Sequence, residues 1–267
     1  MKAMATVDTD HSIVPFGTRA PVAMNSVLGK AQLILQAFTA DDDALSLTEL
    51  VRRTGVAKAT VYRLAQELLH WGVLERSGNE YRLGLRLFEL GQRVPRQRIL
   101  REAALPYMED LLLSTDETIH FAVPDGLDVL YIEKIIMHRG LDQESRIAGR
   151  LPLYCTATGR VILAYSSRRL FVEVVHAGLI PLTRYTVRSA YLLAQQLERV
   201  TENRLATEFE EIRLGYASVA VPVFGPGRAL AGALSITAPT ARMNVPRLTG
   251  SLRTAAAGIG RKLQTTD

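Results

Sequence analysis

Two groups of side chains in this 267-residue chain have types and spacings suited to chemistry. The first is Lys58, Thr60, Tyr62, Arg63 and Gln66, which fall on the polar side of a helical repeat. They supply donors and acceptors of the kind that read base edges and phosphates, with no acid among them. Arg76 and Arg82 follow in two short β-like segments and would grip phosphate or minor groove. The second group is Glu208, Glu210, Ser218, Ser235 and Thr237, set in an otherwise apolar stretch. Alternation along a strand puts Ser235 and Thr237 on one sheet face, so both hydroxyls either enter one cavity or face solvent. A third candidate is Cys155, the single cysteine, as a nucleophile with His120 or His138. Its place in a helix of small residues fits a small buried hydrophobe better.

Other chemistry finds no support in the pattern. The five histidines show no metal-ligand spacing, and phosphate-cradling glycine motifs and a G-x-S-x-G elbow are missing. No metal and no cofactor is expected. A single cysteine excludes an intramolecular disulfide. No apolar run approaches the roughly 20 residues of a membrane span. The start, MKAMATVDTDHSIVPF, lacks the apolar core of a secretory signal, so a cytoplasmic protein with no membrane partner is expected. A content of 48% hydrophobic and 22% charged residues is that of a globular chain long enough for two domains.

The net charge of +5 invites a nucleic-acid reading, but its distribution matters more. Residues 23–83 are neutral overall, with seven basic residues against seven acidic ones, three of which form the run Asp41–Asp43. Residues 84–101 are strongly basic.

The elements that must position these groups can be read in order. Residues 1–22, with Pro15, Gly17 and Pro21, read as a flexible tail. Ser26 is a good N-cap for a helix to about Thr39. Ser46 and Glu49 make a capping box for a second helix, which Gly55 stops. Val61, Leu64, Ala65, Leu68 and Leu69 form the buried stripe of a third. Segments Val73 to Arg76 and Glu80 to Leu83 flank the turn Ser77-Gly78-Asn79. Helix, tight turn, helix and hairpin is the order of a winged helix-turn-helix, whose second helix enters the major groove. The plainer alternative is a helical hairpin with a solvated polar face. We place this domain at residues 23–84.

Residues 85–101 read as a linker helix, apolar on more than one side and suited to a second subunit, which Pro95 breaks ahead of a basic linker, Arg96 to Arg101. Residues 102–267 then form an α+β domain with a mainly antiparallel sheet. Its strand-like runs are Thr118 to Val123, Val129 to Ile135, Ala217 to Phe224 and Leu230 to Ala238. Helices are expected over about Ile99 to Ser114, Cys155 to Tyr165, Arg168 to Ala177, Ala190 to Asn203 and Val245 to Leu263.

Several stretches carry a family likeness: SVLGKAQLILQAF at Ser26–Phe38, LSLTELVRRTGVAKATVYRLAQEL at Leu45–Leu68, YRLGLRLFELG at Tyr81–Gly91, GLDVLYIEKI at Gly126–Ile135, GRLPLYCTATGRVILA at Gly149–Ala164, and VPVFGP and ALSITAP further on. With them, residues 25–263 resemble the IclR family of bacterial transcriptional regulators. The resemblance implies a winged helix, a linker helix and a GAF- or PAS-like effector-binding and oligomerisation domain. It also implies dimers or tetramers on a double-stranded DNA operator, repressing or activating nearby catabolic genes in response to a small organic or aromatic acid, and for this chain a repressor is expected. Pocket positions carried over from the family are Leu151, Ala157, Thr158, Glu208, Ser218, Ser235 and Thr237. The last positions depart from the family pattern: glutamate where aspartate is frequent, serine for cysteine, threonine for serine. Two rival functions remain, a constitutive repressor whose second domain only oligomerises and a Cys155-dependent enzyme.

Overall fold

The computed structural model describes residues 26–39, 41–136 and 147–265. The expected tail at 1–22, together with His11 and His138, lies outside the described residues. The chain divides between Leu100 and Arg101 into two compact units.

The first unit starts with α1 (Val27–Gln36), capped by Ser26, whose Oγ accepts the Gly29 N–H at 2.9 Å. Helix α2 (Leu47–Thr54) is capped by Ser46, and Gly55 ends it at φ 66°, a left-handed position that costs glycine little. The capping box is half made. Ser46 Oγ accepts the Glu49 N–H at 3.2 Å, but the Glu49 carboxylate turns to Arg52 and Arg53. Helix α3 (Lys58–His70) follows after three residues, then the antiparallel pair β1 (Leu74–Ser77) and β2 (Glu80–Leu83). Ile34, Leu50, Val61, Leu64, Leu68, Leu74 and Tyr81 close a common core, the helical stripes and the hairpin each giving their apolar side. A bridge between Leu45 and Tyr81 pins the hairpin to the chain ahead of α2.

Helix α4 (Leu85–Gln92) buries none of its residues, and Leu85, Phe88 and Leu90 are exposed. Pro95 starts helix α5 (Pro95–Thr115) instead of ending one. At the first helical position the missing N–H would have had no partner, so proline costs nothing there. The expected basic linker Arg96 to Arg101 is therefore helical, and the unit boundary falls inside a continuous helix.

The second unit is built on a six-stranded sheet in the order β5-β4-β3-β8-β7-β6, with every pair antiparallel. Its strands are β3 (Thr118–Asp125), β4 (Asp128–Ile135), β5 (Arg150–Pro152), β6 (Ala206–Phe209), β7 (Tyr216–Phe224) and β8 (Leu230–Pro239). The short edge strands β5 and β6 carry too few residues for alternation to declare them, and sequence reading leaves both out. Helix α6 (Ala157–Ala164) packs against the sheet and against α8 (Ala190–Asn203), and α7 (Arg168–Ala177) joins the same core. Helix α9 (Val245–Gln264) covers β7 and β8 and meets α5 where Gly258 lies under the Tyr107 ring. A Cβ there would come within 2.2 Å of the ring, so only glycine permits that approach.

Candidate functional site

On α3, Lys58, Tyr62 and Arg63 are exposed. Thr60 and Gln66 are half-buried, and the Gln66 Nε2 is shut off from solvent without a hydrogen-bond acceptor among the described residues. Gln66 therefore reaches outward less well than its helical position suggests. The helix face is also not free of acid. Glu67, one turn on from Arg63, accepts from its Nη1 at 3.0 Å, an exposed pair of the kind worth a few tenths of a kcal/mol. In the hairpin, Arg82 donates to Glu75 at 2.8 Å, and Glu75 also accepts the Leu85 N–H. Arg76 stacks over the buried Tyr81 ring at 4.4 Å. Behind this face Arg53 donates to Asp42, Glu49 and the Ala37 carbonyl, holding the end of α1 to α2. The Arg53 and Thr39 hydrogen bonds hold the Asp42 carboxyl well below the usual range.

In the second unit, Leu151, Ala157, Thr158, Glu208, Ser218, Ser235 and Thr237 all line one cavity, joined by His120, Tyr131, Thr156, Ile212, Arg213 and Tyr216. About 500 Å³ of empty space, open solvent at its mouth included, lies between these side chains. The sheet register explains the convergence. Glu208 pairs with Ser218 and Ser218 with Thr237, so these stand side by side across three strands. One step along, Ala220 pairs with Ser235 and Ser235 with His120. Tyr131, Arg213 and Tyr216 are absent from the sequence reading, which names His120 only as a partner for Cys155. For His120 the only available signal was its strand alternation, which says nothing about its partner across the sheet.

Opposite the sheet stands the start of α6. Thr156 caps it, its Oγ1 accepting the Gly159 N–H at 3.0 Å and donating to the Pro152 carbonyl. Ala157 and Thr158 follow in the first turn, where backbone N–H groups have no intrahelical acceptor. The Thr158 hydroxyl is buried and without a hydrogen-bond partner among the described residues. A hydroxyl left so costs about 1–3 kcal/mol, which a ligand bonding it returns. On the other wall, Ser218 Oγ donates to Glu208 Oε1 at 2.8 Å and lies 2.9 Å from Thr237 Oγ1. The Glu211 N–H donates to Glu208 Oε2 at 3.1 Å.

Electrostatics inside the cavity follow from burial. Desolvation raises the Glu208 carboxyl to about 7, against the lowering effect of its Ser218 and Glu211 hydrogen bonds. Burial, aided by the Lys134 charge, pushes His120 down to about 3, so its imidazole is neutral. Behind the cavity, Arg160 and Glu211 form a buried pair at 2.6 Å. Arg160 also donates to the Tyr154 and Thr207 carbonyls, and Glu211 accepts the Val187 N–H. Cys155 is fully buried, does not line the cavity, and burial raises its thiol well above the ordinary range.

A winged helix-turn-helix followed by a domain with a polar cavity defines a DNA-binding regulator with a ligand-sensing module. Comparison with known proteins agrees. The IclR helix-turn-helix model matches residues 27–78, and the model of the bacterial transcriptional regulator IclR C-terminal domain matches residues 92–261. The chain belongs to the IclR family of DNA-binding transcriptional regulators. It is 34% identical over 266 residues to the HTH-type transcriptional regulator KdgR of Escherichia coli (strain K12), covering 97% of each chain. Identity to KipR of Bacillus subtilis (strain 168) is 30% over 244 residues, with 90% of this chain and 97% of that one covered. An IclR homolog from Microbacterium hydrocarbonoxydans, crystallised with 4-hydroxybenzoate, superposes with a TM-score of 0.85 at 29% identity, covering 90% of this chain and 100% of that one.

The buried pair yields a stability prediction. Replacing Arg160 with alanine strands the Glu211 carboxylate in the interior and is expected to cost about 3–5 kcal/mol. Chemical denaturation measures this, and a loss below 1 kcal/mol would show that the pair does not hold the cavity wall.

Proposed function

We propose that the chain is a homo-oligomeric, effector-responsive repressor, acting in the cytoplasm and without catalytic activity, whose effector is a small organic acid. The observation that carries this reading is the unpartnered Thr158 hydroxyl beside the first-turn amides of α6. A carboxylate suits that position, since helix N-termini favour anions. The opposite hydroxyls of Ser218, Ser235 and Thr237 suit an acid bearing further hydrogen-bonding groups. That a homologue was crystallised with 4-hydroxybenzoate, a hydroxylated carboxylate, supports the class without naming the ligand. The cavity weighs against a second domain that only oligomerises, and the buried Cys155 thiol weighs against a thiol enzyme.

For DNA recognition we assign Lys58, Thr60, Tyr62 and Arg63 to the major groove, with Gln66 in a lesser, positioning part. Arg76 and Arg82 face phosphate. The pairs of Arg63 with Glu67 and Arg82 with Glu75 are solvent-exposed, so exchanging the acid for DNA costs little. The exposed apolar residues of α4 supply the face for a second copy, and two winged domains read a pseudo-palindromic operator.

Three outcomes test these readings. In gel-shift titrations at fixed salt against DNA flanking the gene, Arg63→Ala is expected to weaken binding by about 1–3 kcal/mol, and unchanged affinity removes Arg63 from the interface. Phe88→Asp is expected to shift the protein towards monomer in sedimentation, and an unaltered distribution rules out α4 as the interface. In a thermal-shift screen of organic acids, a bound acid is expected to raise the melting temperature and release operator DNA. Thr158→Val should then weaken that acid at least several-fold, whereas an equal response would take Thr158 out of the site.

A further inference from the structure

Taking the cavity as the effector pocket, we propose that Glu208 makes recognition of an anionic effector proton-linked. The effector enters as its carboxylate, and Glu208 takes one proton from solvent as it binds. The arrangement around Glu208 is the reason. It is 4% exposed, stands on the pocket wall, and ends the row Glu208–Ser218–Thr237 across three strands. A carboxylate ligand therefore shares one desolvated cavity with a protein carboxylate, an arrangement in which both cannot cheaply remain charged.

The charged and titratable groups packed around Glu208 are of both signs, and burial still outweighs them in raising its carboxyl. From the turn after β6, Glu211 adds a second negative charge. From α6, Arg160 lowers the carboxyl, but its guanidinium donates to Glu211, Tyr154 and Thr207 instead of to Glu208. Ahead of α6, the Cys155 thiol is protonated. From β3, His120 is neutral. Arg213, between β6 and β7, and Tyr216, at the start of β7, line the same cavity, where the Arg213 guanidinium stacks over the Tyr216 ring at 4.7 Å, and Tyr131 lines it from β4.

The hydroxyl row can accept both protonation states without moving a heavy atom. Ser218 Oγ lies 2.8 Å from Glu208 Oε1 and 2.9 Å from Thr237 Oγ1, and either hydroxyl of that second pair can be the donor. With Glu208 ionised, Ser218 donates to it. With Glu208 protonated, the acid donates to Ser218, and Ser218 turns its proton to Thr237. In the empty cavity the carboxyl titrates near 7, so a second negative charge acts on it at neutral pH.

The test uses the full-length protein. Calorimetric titrations with benzoate, 4-hydroxybenzoate and lactate between pH 6 and 8.5 should show affinity level on the acid side. It should then fall by up to about tenfold per pH unit above neutrality. At pH 8, phosphate and Tris buffers should report uptake of close to one proton. Glu208→Gln should bind with a flat pH profile, with circular dichroism confirming that it folds. A retained slope in Glu208→Gln, no proton uptake by the wild type, or proton release each overturns the proposal. A carbon-13 titration of labelled glutamate carboxyls in the empty protein decides the matter without a ligand. Glu208, identified by its loss in Glu208→Gln, should titrate near neutrality, and a midpoint in the ordinary range of about 4 to 5 overturns the proposal. If none of the three acids binds, the effector class proposed above fails, and the carboxyl titration still judges Glu208.

Discussion

The pocket depends on how tightly the start of α6 is seated on the sheet. Gly159 sets how closely the segment Leu153–Thr156 folds onto the first turn of that helix. A Cβ there would lie 2.2 Å from the Leu153 carbonyl and 2.4 Å from the Thr156 hydroxyl that caps the helix. One residue on, Arg160 runs beneath the helix to the Tyr154 and Thr207 carbonyls and to Glu211. The consequence is positional. Ala157 and Thr158 are held with their first-turn amides and one buried hydroxyl facing a polar sheet surface, and these groups cannot fold away to satisfy themselves.

The two units use charge in opposite ways. In the winged unit the ion pairs of Arg63, Arg82 and Arg52 are largely exposed, each worth little and each open to exchange for phosphate. Arg53, less exposed and held by two acids and a carbonyl, braces the helices instead. In the sensing unit the Arg160–Glu211 pair is buried, with each partner hydrogen-bonded on further sides. Losing one member there leaves a charge with no solvent to turn to. The same Glu211 touches Glu208 through its amide and Val187 through its carboxylate, so the cavity wall and the segment ahead of α8 share one anchor. A ligand that prefers one arrangement of this wall can shift the balance of states only by that difference in affinity.

Helix α4 shows the cost of leaving apolar surface open. Leu85 and Phe88 are each more than 60% exposed, and a helix that fully buries none of its residues gains little from packing within this chain.

Local rules carry far in this chain where the cause is local. Caps at Ser26 and Ser46, the left-handed Gly55 and the stripe Val61–Leu68 depend on neighbours within a few residues, so they could be read directly. The winged domain followed from them. Pro95 was read as a break because proline ends helices from within, and only its position as a first residue reverses that. Ser235 and Thr237 could be placed on one strand face by alternation, Glu208 and Ser218 stood out as polar residues in an apolar stretch, and Leu151, Ala157 and Thr158 came from family likeness. Which face enclosed a cavity was settled by the tertiary structure, because strand register across β6, β7, β8 and β3 joins residues more than a hundred positions apart. The same holds for the burial of Gln66 and the near-neutral Glu208. Each reflects what the fold brings alongside a side chain and how much water it removes, and neither quantity is written in residue order.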